Sequence, residues 1–225
     1  MGIVMLIITL LVGYFIGSVP TSIIVAKKVK NIDIREHGSK NAGGTNVGRV
    51  LGKRYGALVI VIDMLKTIIA VWGTYLIIGY TPLYNYCLGN NISYYVYPVA
   101  IAVCIGHCFP IFASFNGGKA VSTCAGSILA FSLPITILAS LVFLITLKIK
   151  KYVSLCSILC SLLIAFLSIL IFIPNFGVHL IYSPLEPHIM MVITLFVESI
   201  ILIIRHRSNI KRLISGKESK IKWMK

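Results

Sequence analysis

Three polar segments interrupt an otherwise apolar chain, and each holds residue types suited to gripping phosphate. The first contains Gly38-Ser39-Lys40-Asn41-Ala42-Gly43-Gly44-Thr45-Asn46, with Arg49 shortly beyond. Glycines let successive backbone N–H groups converge on an anion, while Ser39, Asn41, Thr45 and Asn46 add neutral donors. Arg49 can take two phosphate oxygens at once. The G-x-x-x-x-G-K-[ST] order of a Walker loop is absent, and the same composition also suits a loop that merely turns the chain. The second segment is Gly106-His107-Cys108-Phe109-Pro110 followed by Asn116-Gly117-Gly118-Lys119. A Gly-Gly-Lys step opening a helix offers N–H groups, a positive dipole end and an ammonium. Taken alone, a helix-breaking turn with one snorkelling lysine is the plainer account. The third runs Arg205-His206-Arg207-Ser208-Asn209 to Arg212 and Gly216-Lys217-Glu218. On a continued helix His206 and Asn209 share one face at i, i+3. A histidine at a membrane boundary can be base, donor or bystander, and most lysines of this tail read as a solvated anchor.

Ionisable residues within the apolar stretches add a second group of candidates. Asp63 and Lys66, at i, i+3, can pair on one helix face, either as a structural ion pair or in a substrate role. Glu198 also sits in an apolar run, without an evident partner. Cys104/Cys108 and Cys156/Cys160 have ordinary helix-core spacing, and neither a CxxC motif nor a zinc-type His/Cys cluster occurs. The cysteines read as small buried hydrophobes, and no metal is expected.

The elements that must position these segments are membrane helices. Of the 225 residues, 58% are hydrophobic and 12% charged, and the mean hydropathy is +0.95. A soluble domain of this length needs a larger charged shell. Apolar runs of about 20 residues, enough to cross a hydrocarbon core of about 30 Å, recur throughout. The runs predict helices over 3–26 (interrupted at Gly17-Ser18-Val19-Pro20), 56–78, 97–112, 152–173 and 188–204. Residues 120–147 are read as two short or partly re-entrant helices turning near Ser132-Leu133-Pro134, because one crossing would put Lys148, Lys150 and Lys151 outside. The expected fold is all-α and polytopic, about seven transmembrane helices in one domain spanning 1–225, N-terminus out and C-terminus in. The first helix lacks the basic leader and cleavage site of a secretory signal, so it is expected to be retained.

The net charge of +15 fits that topology. Of 21 Lys and Arg residues, eight fall between Lys27 and Arg54, one at Lys119, three near residue 150 and eight from Arg205 onward, leaving Lys66 alone within an apolar run. The tyrosine-rich segment 80–95 and the outer loop 174–187 have none, as the positive-inside rule requires. Positive charge is thereby read as orientation and as attraction to anionic membrane lipids, not as a nucleic-acid surface.

Together the motifs resemble the bacterial acyl-phosphate:glycerol-3-phosphate acyltransferases of the PlsY type, over essentially the whole chain. The resemblance rests on Gly17-Ser18-Val19-Pro20, Asp33-Ile34-Arg35 through Asn46, Asp63-x-x-Lys66, and Gly106-His107-x-Phe109-Pro110. Gly117-Gly118-Lys119, Tyr152-Val153-Ser154, Arg205-His206-x-x-Asn209 and Gly216-x-Glu218 complete it. Departures from the usual pattern are Lys40, Thr67 and Ala120, each where glycine is common, and Ser208, where glutamate is usual.

The resemblance implies transfer of a fatty acyl group from acyl phosphate to the 1-hydroxyl of glycerol 3-phosphate, giving lysophosphatidic acid and phosphate for phospholipid synthesis. It implies no cofactor and no metal, and an active site facing the cytoplasm at the bacterial inner membrane. Ser39, Arg49, Lys119, Ser154, His206 and Asn209 are expected to surround glycerol 3-phosphate, with Ser39, Lys119, His206 and Asn209 as the catalytic set. Gly38, Asn41, Thr45 and Asn46 belong to the binding loop, and Gly43-Gly44 and Gly117-Gly118 should offer N–H groups to acyl-phosphate oxygens. Proton removal falls to His206 or to a substrate phosphate, the phosphate being favoured. The alternative class is a transporter or channel for a phosphorylated metabolite. The lack of an internal repeat and of an outer polar cluster speaks against it.

Overall fold

The computed structural model describes residues 1–173, 185 and 188–221, and every regular element among them is helical. The chain forms two compact units, Met1–Ala130 and Phe131–Lys225.

The first unit begins with α1 (Gly2–Ser18) and α2 (Thr21–Lys30). Pro20 lacks an N–H and keeps Val19 extended, at φ −61° and ψ 113°, so the predicted first helix is two helices. Lys27, Lys28 and Lys30 occupy the last turn of α2, where the dipole's negative end favours them. After a 3-10 turn at Ile34–Glu36 come α3 (Gly44–Val50) and α4 (Lys53–Gly79). Two further turns, Pro82–Tyr86 and Leu88–Asn90, lead to α5 (Ser93–Val96), α6 (Pro98–Cys108), a turn at Ile111–Ala113 and α7 (Val121–Phe131).

The pair α1 and α6 packs backbone to backbone. A Cβ added at Gly17 would lie 2.2 Å from the Val103 carbonyl oxygen, and one at Gly106 2.2 Å from that of Tyr14. Lipid tails are as apolar as side chains, so membrane helices associate by such close packing rather than by hydrophobic exclusion. The arrangement fixes the C-terminal end of α6, and therefore His107, against the break between α1 and α2.

The second unit consists of α8 (Leu133–Lys150), α9 (Val153–Ile169), a 3-10 turn at Leu170–Phe172, α10 (Ile189–Arg205) and α11 (Arg207–Ile214). Ser132 caps α8 by accepting from the Ile135 N–H at 3.2 Å, and Pro134 lies in its first turn. The turn expected near Ser132 is therefore a true helix break. Left-handed Lys151 ends α8, and α9 packs back along it, with Cys160 Sγ donating to the Ala139 carbonyl at 3.3 Å. Ser199 of α10 donates to the Ser161 carbonyl of α9 at 2.8 Å, a polar contact of the kind that joins helices in lipid. Between α10 and α11 the chain bends by 59° at His206.

Among the described residues four segments, Gly2–Lys30, Lys53–Gly79, Ser93–Ala113 and Leu133–Lys150, are long and apolar enough to cross a membrane, and the bent pair α10–α11 makes up to five. The apolar helices α7 and α9 are shorter. Each of the seven predicted runs is thus helical where described, though only some have full crossing length. All six cysteines are buried. The outer loop expected over 174–187 lies, apart from Leu185, outside the described residues.

Candidate active site

In the first unit the loop before α3 is organised by one side chain. The buried Asn46 amide accepts from the Ser39 N–H at 2.8 Å through Oδ1. Its Nδ2 donates to the carbonyls of Ile34, His37 and Asn41 at 3.0, 2.9 and 3.0 Å. Gly38 is required beside it, because its φ is +60° and a Cβ there would meet Asn46 Oδ1 at 2.3 Å. Asn46, expected as a binding donor, is instead the staple of the loop, with both ends of its amide engaged by backbone. Gly43 also donates its N–H internally, to the Asn41 carbonyl at 3.0 Å. What the loop presents outward are the exposed Ser39, Lys40 and Arg49, with Asn41 and Thr45 half-buried. Among the described residues the Arg49 side chain makes no hydrogen bond or ion pair, so its guanidinium is available to an anion.

The loop is tied down at its start. Arg35 grips both oxygens of Asp33, at 2.6 Å in the shortest contact, and donates to the Ala113 carbonyl at 3.0 Å. The Arg35 side chain holds the Asp33 carboxyl below its ordinary range. Residues 33–36 are thereby fastened to the segment that carries the second motif.

That second motif is a tight return of the chain. Past Ser114 and Phe115, both left-handed at φ 53° and 57°, the chain runs back along α6. Gly117 donates to the Cys108 carbonyl at 3.2 Å and Gly118 to the His107 carbonyl at 3.0 Å. The two N–H groups expected at acyl phosphate therefore donate within the return itself. Their lack of side chains serves packing, since a Cβ on Gly118 would lie 2.1 Å from His107 Nε2 and one on Gly117 2.1 Å from the His107 carbonyl oxygen. Lys119 follows directly, half-buried at the foot of α7.

Beneath this return lies a buried polar cluster. Asp63 Oδ1 accepts from Lys66 Nζ at 2.7 Å and from Thr21 Oγ1 at 2.9 Å, and lies 3.8 Å from His107 Nδ1. Lys66 Nζ also donates to the Val19 carbonyl. The break at Pro20 leaves backbone groups without helical partners, and apolar surroundings make each one expensive. The pair Asp63–Lys66 answers that need. A small cleft opens beside it, lined by Val19, Thr21, Ser22, Asp63, His107 and Gly118 among others.

The second unit builds its motif around Glu218, which the sequence marks only through the Gly216-x-Glu218 pattern. Glu218 Oε1 accepts from Ser154 Oγ at 2.9 Å and from Asn209 Nδ2 at 2.8 Å, and its Oε2 accepts from Arg212 Nε at 2.7 Å. Left-handed Gly216, at φ +69°, turns the tail back, and the Ile221 N–H donates to the Lys151 carbonyl at 2.9 Å. Burial pushes the Glu218 carboxyl up, but its donors Asn209, Arg212 and Ser154 outweigh that and hold it below its ordinary value. Ser154 and Asn209, expected at substrate, are thus aligned by one carboxylate; the only signal was the Gly216-x-Glu218 pattern. His206 is buried, with Nδ1 2.8 Å from the Leu202 carbonyl. A carbonyl only accepts, so Nδ1 carries a proton and, in the neutral ring, Nε2 holds the lone pair.

The sequence model of the family described as glycerol-3-phosphate acyltransferase matches residues 7–216. The chain belongs to this family. Glycerol-3-phosphate acyltransferases from Listeria welshimeri and Bacillus velezensis are 41% and 38% identical to it, over 97% and 95% of the chain and 98% and 96% of the relatives. The fold is similar to the crystal structure of PlsY (YgiH), an integral membrane glycerol 3-phosphate acyltransferase, in its glycerol 3-phosphate form. The TM-score is 0.76 at 29% identity, over 96% of this chain and 95% of that one. The lysophosphatidic acid form of the same enzyme matches with a TM-score of 0.73. The chain is accordingly an integral membrane acyltransferase, and two of its departures from the family pattern fall on strained backbone: Lys40 and Ala120 are left-handed, at φ 56° and 64°. Nothing in the structure explains Ser208, which is exposed on α11.

Proposed function

We propose that this glycerol-3-phosphate acyltransferase takes its acyl group from acyl phosphate and transfers it to the 1-hydroxyl of glycerol 3-phosphate. The products are lysophosphatidic acid and inorganic phosphate. The observation that carries the reading is the match of residues 7–216 to the family, joined to a PlsY enzyme solved in forms named for a substrate and a product of that reaction.

Within this reading Arg49, Ser39 and Lys119 of the first unit meet phosphate oxygens, with Asn41, Gly43, Gly44 and Thr45 around them. The free, exposed guanidinium of Arg49 supports that role. From the second unit Ser154, His206 and Asn209 act on glycerol 3-phosphate. An acyl phosphate already carries a good leaving group, so no protein nucleophile is needed, and the chain's task is positioning and charge stabilisation. The attacking hydroxyl gives its proton to a substrate phosphate. His206→Ala abolishing turnover while leaving both substrate affinities intact would move that role to His206 Nε2.

Orientation follows the charge: seven crossings, N-terminus outside and C-terminus inside, with the basic segments and the site on the cytoplasmic face of a bacterial membrane. The test of function is direct. Purified protein given acyl phosphate and glycerol 3-phosphate should release phosphate in step with lysophosphatidate. Uptake of either substrate into vesicles without that product would instead favour a transporter.

A further inference from the structure

The buried cluster around Asp63 has a use beyond closing the helix break. Its carboxylate and the His107 imidazole are both almost fully buried, at 2% and 9% side-chain exposure. A buried charge is held there only if partners repay its lost hydration. Lys66 and Thr21 do so from one side. The third neighbour is the His107 ring, whose other nitrogen fills the space above Gly118. Main-chain bonds from Gly117 and Gly118 close the return on the same histidine and its neighbour Cys108. The Lys119 backbone therefore leaves directly from a return held by two main-chain bonds, with one imidazole packed against its second glycine.

We infer that Asp63 and His107 are positioning residues, the carboxylate orienting the imidazole and the imidazole seating the Gly117–Gly118 turn that sets Lys119. The inference rests on the reading that Lys119 meets a substrate phosphate. It assigns His107 no contact with substrate. It also gives glycine at 118 a steric cause, since any side chain there collides with the ring rather than with a ligand.

A positioning role makes a claim that plain structural support does not: the effect of His107 must pass through Lys119. The experiment is a double-mutant cycle on the full-length protein in membranes, using His107→Ala, Lys119→Ala and the pair. Activity is read as kcat and KM for acyl phosphate and glycerol 3-phosphate. Misplacing a reacting group by about 1 Å can lower turnover roughly a hundredfold, so His107→Ala should lose about tenfold to a hundredfold. In the Lys119→Ala background it should change nothing further. A second cycle uses Gly118→Ala, which alone should be severe and should be partly rescued by His107→Ala, which vacates the space.

If Gly118→Ala does not accumulate, Asp63→Asn paired with Lys66→Met replaces it. That pair removes both charges together and also the donor to the Val19 carbonyl, so its own defect should be at least that of His107→Ala, and adding His107→Ala to it should cost nothing further. Multiplicative losses in the His107–Lys119 cycle overturn the inference while leaving the role of Lys119 intact. A silent His107→Ala beside a damaging Lys119→Ala does the same. A silent Lys119→Ala removes the underlying reading of Lys119, and the inference with it.

Discussion

Two residues sit on left-handed backbone where the family commonly has glycine, and they differ in what replacing them would do. Lys40 is exposed at φ 56°, so its side chain stabilises nothing that glycine would forfeit. Left-handed backbone is disfavoured for an L-residue by roughly 1–2 kcal/mol, against about 0.5–1 kcal/mol of extra chain entropy for glycine. Lys40→Gly should therefore stabilise the protein by about 0.5–1 kcal/mol, seen as a higher melting temperature in detergent. Ala120 is fully buried at φ 64°. Removing its methyl forfeits about 0.8 kcal/mol of burial, so Ala120→Gly should be close to neutral. The third departure, Thr67, is of another kind. Its hydroxyl is buried without a hydrogen-bond partner among the described residues, and its Cβ lies 3.0 Å from where a Cβ on Gly126 would stand. Valine keeps that shape and removes the orphaned oxygen, which costs about 1–3 kcal/mol. Thr67→Val should raise the melting temperature, with activity unchanged.

Among elements, the tail after α11 shows how one acid can hold a motif together. Glu218→Ala removes the acceptor for Ser154, Asn209 and Arg212 at once. Hydrogen bonds to a charged group contribute roughly 1.5–3 kcal/mol each, and the partners are left unsatisfied, so a destabilisation of about 3 kcal/mol is expected. Glu218→Gln should fall between, since an amide keeps one acceptor but turns donors toward Arg212. The sign of the pH effect follows from the lowered carboxyl. A group whose folded value lies below its unfolded one stabilises the fold above the unfolded value, and that stability is lost as pH falls through the folded value. The wild-type melting temperature should thus hold through neutral pH and drop below the ordinary value of 4.5, from which Glu218 is lowered. In Glu218→Gln the drop should be shallower, with the remaining slope partly from Asp33, which is lowered by Arg35.

The same elements mark what could be read from residues alone. Helix breaks at Pro20 and Ser132 were legible, because proline and a serine cap act through local chemistry. The candidates for gripping phosphate were chosen by residue type, and of these Ser39 and Arg49 are exposed. The roles of Asn46, Gly117 and Gly118 were not legible. A glycine-rich loop with free N–H groups and one whose N–H groups close upon themselves have the same composition. Only the carbonyls of His107 and Cys108, brought alongside by the turn at Ser114 and Phe115, separate the two. The part Glu218 plays was hidden for a related reason: Asn209 and Arg212 lie near it in the chain, but Ser154 stands 64 residues away.

For the molecule as a whole, the open expectation with the largest consequence is the path of the chain through the membrane around Ser132. The helix α8 has 18 residues, a length of about 27 Å at 1.5 Å per residue, close to a hydrocarbon core of about 30 Å. Its last turn holds Lys148 and Lys150, with Lys151 as cap, and charge of that sign belongs inside. Its start at Leu133 should then lie at the outer boundary. Ser132 itself is fully buried, which suits a cap but makes it a poor reporter. Leu133 is 43% exposed and the native cysteines are all buried, so Leu133→Cys offers a single reactive thiol. A membrane-impermeant maleimide added to intact cells should label Leu133→Cys without permeabilisation and should leave Lys150→Cys unlabelled until the membrane is opened. The reverse pattern would put Lys148, Lys150 and Lys151 outside. The segment before α8 would then not return the chain, and the motif at Ser154, beginning just after those lysines, would be cut off from the cytoplasmic substrates it is proposed to bind.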